Sequence, residues 1–200
     1  MRLAEIVEYI GDYGPIGLIF LALWVLYHSG RQIYIYYFVV GILFNTILNL
    51  VLKGAIQEPR PADMGHPGAF HKRVENILHT RHGLPFNLFG MPSGHAQAIL
   101  YIWTFMYLVL WGGGGGREGS HKPPVGWLMI WTFAIVGLIT LYQRVEWGYH
   151  TWFQVVVGAG VGVAMGYGAY WFGRQKTKGV MQLRPDDGAV WSRRIGAGFL

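Results

Sequence analysis

Five apolar stretches follow one another along the chain, separated by polar segments. They cover residues 13–28, 33–52, 96–111, 127–142 and 151–172. The hydrocarbon core of a bilayer takes about 20 helical residues, so the first, third and fourth stretches are slightly short. Aromatic residues at their ends extend them into the membrane interface. The pattern predicts an all-α protein, a polytopic membrane helix bundle with about five transmembrane helices.

The two ends of the chain have a different pattern. Residues 1–12 alternate apolar and acidic positions, which predicts a short amphipathic helix lying at the membrane interface. A signal peptide is not expected, because Glu5 and Glu8 stand where such a peptide is basic. Residues 173–200 form a basic polar tail, and residues 1–200 are expected to make a single membrane domain.

Composition agrees with a membrane protein. Hydrophobic residues make up 52% of the chain and charged residues only 13%, whereas about a quarter of a soluble domain is charged. The absence of cysteine excludes disulfides and thiolate metal sites. The net charge of +6 does not indicate a nucleic-acid partner, because the basic residues lie in short loops and in the tail, as is typical of membrane proteins.

Two sets of small or polar residues interrupt the apolar stretches. Gly158, Gly162 and Gly166 are spaced by four, which lets helix backbones approach closely. We favour packing inside the bundle over a dimer face. Asn45 and Asn49 are also four apart, and we favour structural hydrogen bonds in the interior over a direct part in a site, with both possibilities open.

Alternation of five spans across the membrane places two connections on the same face. The long polar connection, residues 53–95, and the short one, residues 143–150, both lie on the face that holds the N-terminus. The glycine-rich loop, residues 112–124, and the tail lie on the other face. The long and the short connections can therefore meet.

Those two connections carry side chains suited to phosphate. Arginine binds phosphate oxygens in pairs and lysine acts as a point charge. A serine hydroxyl and a glycine amide at the start of the third span add donors at a helix N-terminus, where the dipole favours an anion. One histidine can attack phosphorus and the other can serve as general acid and base. The residues concerned are Lys53, Arg60, Ser93, Gly94, His95, Arg144 and His150.

Metal binding is not expected. The spacing of His79 and His82 could hold zinc, but no cysteine and no carboxylate partner supports such a site, so we favour a polar loop surface. His66 and His71 lie in the same loop and are interpreted in the same way. An aspartate-rich cluster that would bind diphosphate through magnesium is missing, which argues against a prenyltransferase. We expect no cofactor.

Three motifs occur in a characteristic order: Lys53 followed by Arg60 and Pro61, then "PSGH" at 92–95, then Arg144 followed by His150. They resemble the signature of the type 2 phosphatidic acid phosphatase superfamily, over about residues 52–168. The resemblance implies a metal-independent phosphatase with His150 as the nucleophile and His95 as the acid/base. It assigns phosphate binding to the remaining residues of the set: Lys53, Arg60, Ser93, Gly94 and Arg144.

The third motif departs from that signature at both ends. Gln143 stands where the family usually has serine, and Gln154 stands where it usually has aspartate. "IQEPRP", "GMPSGHAQ" and "YHTWFQ" nevertheless resemble the dolichyldiphosphatase branch, which also tends to carry this second glutamine. Gln154 lies four residues after His150, on the same helix face. We expect its carbonyl oxygen to accept the Nδ1 proton of His150, leaving Nε2 free to attack.

The resemblance predicts hydrolysis of a polyprenyl or dolichyl diphosphate to the monophosphate through a phosphohistidine, which recycles a glycan carrier lipid. Alternatives are a broad lipid phosphate phosphatase, a lipid phosphotransferase and a non-catalytic lipid-binding scaffold. The tail face carries nine lysines and arginines, whereas the site face has four beyond Lys53, Arg60 and Arg144. The positive-inside rule then predicts a cytosolic tail and a lumenal active site. The endoplasmic reticulum is the compartment that the resemblance implies.

Overall fold

The computed structural model describes residues 3–29, 31–61, 89–111 and 124–183, and these ranges fold into five helices. The predicted all-α architecture is confirmed. The helices are α1 (Leu3–His28), α2 (Ile33–Ile56), α3 (Gly94–Trp111), α4 (Pro124–Glu146) and α5 (Trp152–Leu183). The histidines at 66, 71, 79 and 82 lie outside the described residues.

Four of the helices, α1, α2, α4 and α5, are long and apolar enough to cross a membrane. Each exposes large apolar side chains outward, among them Trp24, Phe44, Leu128 and Phe153. Exposure on this scale suits a surface that faces lipid rather than water. The predicted membrane helix bundle is thus confirmed.

Helix α3, the third predicted span, is not among those four. It lies at the centre of the bundle, where Tyr101, Ile102 and Phe105 are fully buried against the other helices. A helix enclosed by protein can carry polar residues at depth, because neighbouring helices supply their hydrogen-bond partners. That position explains how Gln97 is accommodated on α3, since its partners lie on α2.

The N-terminal region differs from the prediction. Residues 1–12 were expected to form a separate interfacial helix, but α1 runs without interruption from Leu3 to His28 with Pro15 inside it. Proline removes one helical hydrogen bond, which costs stability unless another donor replaces it. Here the first half of α1 packs against α4, and Arg144 on α4 donates to the Gly11 carbonyl, which Pro15 leaves without its helical donor.

Glycines hold α5 directly against the backbone of α3, as the spacing predicted. A Cβ atom on Gly158 would lie 2.5 Å from the Ser93 carbonyl, and one on Gly166 would lie 2.7 Å from that of Tyr101. Gly162 faces the Gln97 backbone just as closely. Only glycine permits this approach. Helix α5 also continues past Phe172 to Leu183, into the predicted tail.

Three buried amides join α2 to α3. Asn49 Nδ2 donates to Gln97 Oε1 at 2.8 Å and to the Pro92 carbonyl at 3.2 Å. Gln97 Nε2 in turn donates to the carbonyl and the side-chain oxygen of Asn45. The structural interpretation of Asn45 and Asn49 is therefore confirmed, and the network fixes the start of α3 against α2.

Candidate active site

Five chain segments meet at one end of the bundle. They are the last turn of α2, residues 57–61, residues 89–95, the end of α4 and the turn before α5. An isolated β-bridge pairs Pro59 with Phe89, and the Gly90 amide donates to the Glu58 carbonyl at 2.8 Å. This bridge brings the first and second motifs together, although many residues separate them in the sequence.

The end of α2 directs the first motif. Gln57 adopts a left-handed conformation (φ 53°) and its amide donates to the Lys53 carbonyl. The chain therefore turns sharply after Ile56, with Lys53 buried in the last turn of the helix and Arg60 a few residues beyond it. Burial and the nearby Arg144 lower the pKa of Arg60 to about 10, so the guanidinium stays charged at neutral pH.

Arg144 is 4% exposed and is held by helix α1. Its Nη2 lies 2.6 Å from the Asp12 carboxylate and donates to the Gly11 carbonyl at 2.8 Å. Residue 15, the usual partner of that carbonyl in a helix, is proline and has no N–H. Pro15 thus leaves the Gly11 carbonyl available to Arg144. The guanidinium also lies over the ring of Tyr149, 4.6 Å from its centroid.

Arg144 Nε and Ser93 Oγ are buried donors at this end, and neither atom has a hydrogen-bond partner among the described residues. Buried donors are normally paired, so such a pair is suited to an incoming anion. Ser93 caps α3, because its carbonyl accepts the first helical bond, from the Gln97 amide. The amides of the first turn after it point toward the same end of the helix.

His150 is fixed in the turn between α4 and α5. Its amide donates to the Arg144 carbonyl at 3.0 Å, across a turn that contains Gly148 at φ 68°. Thr151 then caps α5: its hydroxyl accepts from the Gln154 amide, and its own amide donates to Gln154 Oε1. This reciprocal arrangement is a capping box of the sequence type T-x-x-Q. It positions Gln154 beside His150.

The expected hydrogen bond between His150 and Gln154 is present, with 3.1 Å between Nδ1 and Oε1. The amide orientation follows from its surroundings, because Gln154 Nε2 faces two acceptors, Glu58 Oε1 at 2.8 Å and the Pro59 carbonyl at 3.0 Å. Oε1 must therefore accept, and Nδ1 of His150 must carry the proton. The lone pair on Nε2 is left free.

The charge state of His150 suits attack. Burial and the neighbouring Arg60 lower its pKa to about 3, with smaller contributions from Lys53 and Arg144. Desolvation disfavours the imidazolium, and so do nearby cations. His150 is therefore a neutral imidazole at physiological pH, which is the form that can act as a nucleophile.

His95 is the second residue of α3 and is partly buried. Lys53, Arg60 and Arg144 act on it electrostatically as they do on His150, so both histidines share one cluster of cations. Burial and Arg144 lower the pKa of His95, and a backbone hydrogen bond with Asp12 offsets part of this shift. The structure thus brings all the residues chosen from the sequence to one end of the bundle.

Two carboxylates at this end were missed in the sequence. Asp12 lies in the segment interpreted as an interfacial helix, and Glu58 lies inside the first motif without an assigned role. A signal for Glu58 was its position next to Pro59 and Arg60, but nothing local to Asp12 pointed to Arg144. Gln143, which stands where the family has serine, lies 3.5 Å from the Asp12 carboxylate. Among the described residues, no three histidines or carboxylates are grouped as metal ligands would be.

The chain is similar to known proteins over most of its length. The family model described as PAP2 superfamily matches residues 34–178. Human dolichyldiphosphatase 1 is 30% identical over 71% of this chain and 53% of its own length. The dolichyldiphosphatase of Saccharomyces cerevisiae is 29% identical over 63% of the chain and 46% of its own.

A relative with a different name also matches. The lipid phosphate phosphatase gamma of Arabidopsis thaliana is 35% identical over 41% of this chain and 35% of its own length. The chain spans about half the length of the dolichyldiphosphatases that it matches. No solved structure matches it.

Proposed function

Because the chain belongs to the PAP2 superfamily, we propose that it is a membrane phosphatase that hydrolyses a polyprenyl or dolichyl diphosphate to the monophosphate. The observation that carries this proposal is the hydrogen bond from His150 Nδ1 to Gln154, within a cluster of three buried or partly buried cations. The matched dolichyldiphosphatases support the choice of substrate.

In the first step the Nε2 lone pair of His150 attacks the terminal phosphorus. An N–P bond forms, the bond from phosphorus to the bridging oxygen breaks, and the polyprenyl monophosphate leaves. Burial and Arg144 lower the pKa of His95 to about 3, so the monophosphate leaves as an anion, and His95 stays neutral and can act as the base of the second step. Lys53, Arg60 and Arg144 stabilise the negative charge spread over the equatorial oxygens, and Ser93 donates through the Oγ that has no partner among the described residues.

In the second step water attacks the phosphorus of the phosphohistidine. His95 accepts a proton from the water, the N–P bond breaks and inorganic phosphate forms. The electron pair returns to Nε2 of His150, and its Nδ1 keeps the proton bonded to Gln154 throughout. The charge on the phosphoryl group is carried by the protein's own cations, so the proposed reaction needs no metal.

A second candidate is a broader lipid phosphate phosphatase, supported by the match to the Arabidopsis lipid phosphate phosphatase gamma. A neutral glutamine beside His150 favours the diphosphate. A phosphate monoester is a much better leaving group than an alkoxide, so the attacking histidine needs less support from a negative partner. Phosphotransfer to another acceptor would use the same first step.

The experiment is phosphate release by the purified protein in detergent with EDTA present. The substrates are a polyprenyl diphosphate, a polyprenyl monophosphate and a phosphatidate, and the controls are His150→Ala and His95→Ala. We expect the diphosphate to be turned over fastest, and both variants to be inactive or nearly so. Strict dependence on added metal, or an active His150→Ala, contradicts the proposal.

We also propose that the tail is cytosolic and that the active site faces the lumen of the endoplasmic reticulum. The support is the excess of lysine and arginine on the tail face. A C-terminal tag in sealed microsomes should be cleaved by added protease. Full protection of the tag contradicts this orientation.

A further inference from the structure

Resting on the function proposed above, we propose that Glu58 is a positioning residue that supplies, through Gln154, the negative charge which this site would otherwise lack beside His150. The carboxylate accepts from Gln154 Nε2 at 2.8 Å, and Gln154 Oε1 accepts from His150 Nδ1 at 3.1 Å. The two bonds form a continuous chain from carboxylate to nucleophile.

Both residues of this pair of hydrogen bonds, Gln154 and Glu58, are held in place by other contacts. Gln154 is fully buried and is held in addition by the Thr151 amide and the Pro59 carbonyl. Gly90 packs directly against its amide, leaving no room for a Cβ atom. Glu58 is fixed through its own backbone, which accepts from the Gly90 amide. Gln154 cannot turn away without breaking several of these contacts, and the fixed backbone of Glu58 keeps its carboxylate within reach of Gln154.

The electrostatic consequence follows from the chemistry of the first step. When His150 attacks phosphorus, its ring acquires positive charge while Nδ1 keeps its proton. The amide of Gln154 is polarised by Glu58, so its oxygen becomes a stronger acceptor for that proton. No proton moves along the chain. The carboxylate thereby stabilises the phosphorylated, positively charged ring more than the neutral one.

Glu58→Gln tests the charge alone, because the new side chain has nearly the same shape and keeps an oxygen that can accept from Gln154. We expect kcat to fall by about ten- to a hundredfold with little change in KM, as is typical when the hydrogen-bond partner of a site residue is removed. In rapid-quench experiments, formation of phosphohistidine should slow and its hydrolysis should not. A purely structural role would not separate those two rates.

The double variant Glu58→Gln with Gln154→Glu moves the carboxylate directly onto His150 and should recover most of the lost kcat. Gln154→Glu alone sets two carboxylates side by side, so its kcat should be lower than that of the double variant. Glu146→Gln is the matched control, because it removes an exposed carboxylate at the end of α4 and should leave kcat unchanged.

Each variant is assayed on whichever of the three lipids the wild-type protein turns over fastest. The test of Glu58 therefore remains valid even if the preferred lipid is not the diphosphate. An inactive His150→Ala beside a fully active Glu58→Gln overturns the role of Glu58 and leaves the proposed function standing. A wild-type protein that turns over none of the lipids, or an active His150→Ala, overturns the proposed function and this inference with it.

Discussion

The Asp12 carboxylate lies 2.6 Å from the guanidinium of Arg144, although 132 residues separate the two in the sequence. Helix α1, which begins outside the region matched by the family model, therefore helps to build the candidate active site. Pro15 contributes to the same contact, because it leaves the Gly11 carbonyl free to accept from Arg144.

Asp12→Asn should lower both stability and catalytic efficiency. The Asp12 side chain is 39% exposed, so solvent screens the pair and the expected loss is modest, about 1–2 kcal/mol in the free energy of unfolding. Inorganic phosphate should raise the melting temperature in detergent more for the variant than for the wild type. In the variant Arg144 has lost its carboxylate partner, and the bound anion neutralises the guanidinium in its place. Equal shifts in the two proteins, with unchanged kcat/KM, would show that Asp12 does not hold Arg144 for phosphate.

Gln154→Leu should lower kcat by about a hundredfold or more, because it removes the acceptor that fixes the tautomer of His150. Gln154→Asp should retain more activity, since a carboxylate can still accept from Nδ1. Turnover is measured for both variants on a polyprenyl diphosphate and a polyprenyl monophosphate. If the leucine variant is as active as the wild type, glutamine does not orient the nucleophile.

Gly158→Ala should reduce activity through packing alone. The added Cβ would meet the Ser93 carbonyl at 2.5 Å, so α5 must move away from the start of α3, at a cost of about 1–3 kcal/mol. Gly160→Ala is the matched control, because nothing lies within 4 Å of a Cβ at that position. Thermal unfolding and phosphate release are compared for the two variants, and equal behaviour would contradict the close packing of α3 and α5.

His150 should remain neutral well below the usual range of histidine. Its pKa is lowered to about 3, so nitrogen NMR of histidine-labelled protein should show a neutral ring protonated at Nδ1 down to pH 5. Arg60→Gln should raise this pKa, since a nearby cation disfavours the imidazolium. Titration of His150 near the ordinary histidine pKa of 6.5 in the wild type would contradict the buried, cation-lined environment.

The same pKa shift links the site to stability. The unfolded chain takes up a proton on His150 near pH 6.5, whereas the folded chain does so only near pH 3. The contribution of His150 to stability is therefore complete above pH 6.5 and declines as the pH falls from 6.5 to about 3. His150→Gln should flatten this part of the stability profile, as measured by melting temperature against pH.

The sequence predicted those parts of the structure that depend on local spacing. The membrane helices follow from apolar length, and the bond from His150 to Gln154 follows from their separation of four residues on one helix face. The glycines four residues apart predicted close packing inside the bundle, and the structure shows that α3 is the helix they pack against. In each case the relevant residues lie within a few helical turns.

The parts that the sequence did not predict depend on contacts between distant segments. Glu58 and Gln154 are 96 residues apart, and no local pattern shows that the segment after α2 will lie under the start of α5. The continuous helix α1 was also not expected, because the alternating apolar and acidic positions of residues 1–12 predicted a separate interfacial helix. The Gly11 carbonyl, which Pro15 leaves without a helical donor, accepts from Arg144 on α4.

Trapping the phosphoenzyme tests the central claim most directly. The protein in EDTA is mixed with a polyprenyl diphosphate radiolabelled in its terminal phosphate, quenched in base within milliseconds and digested for peptide mapping. We predict an acid-labile, base-stable label on His150, which is absent from His150→Ala and reduced in Glu58→Gln. Release of phosphate by the wild type without any such label, or a label on another residue, would contradict the account.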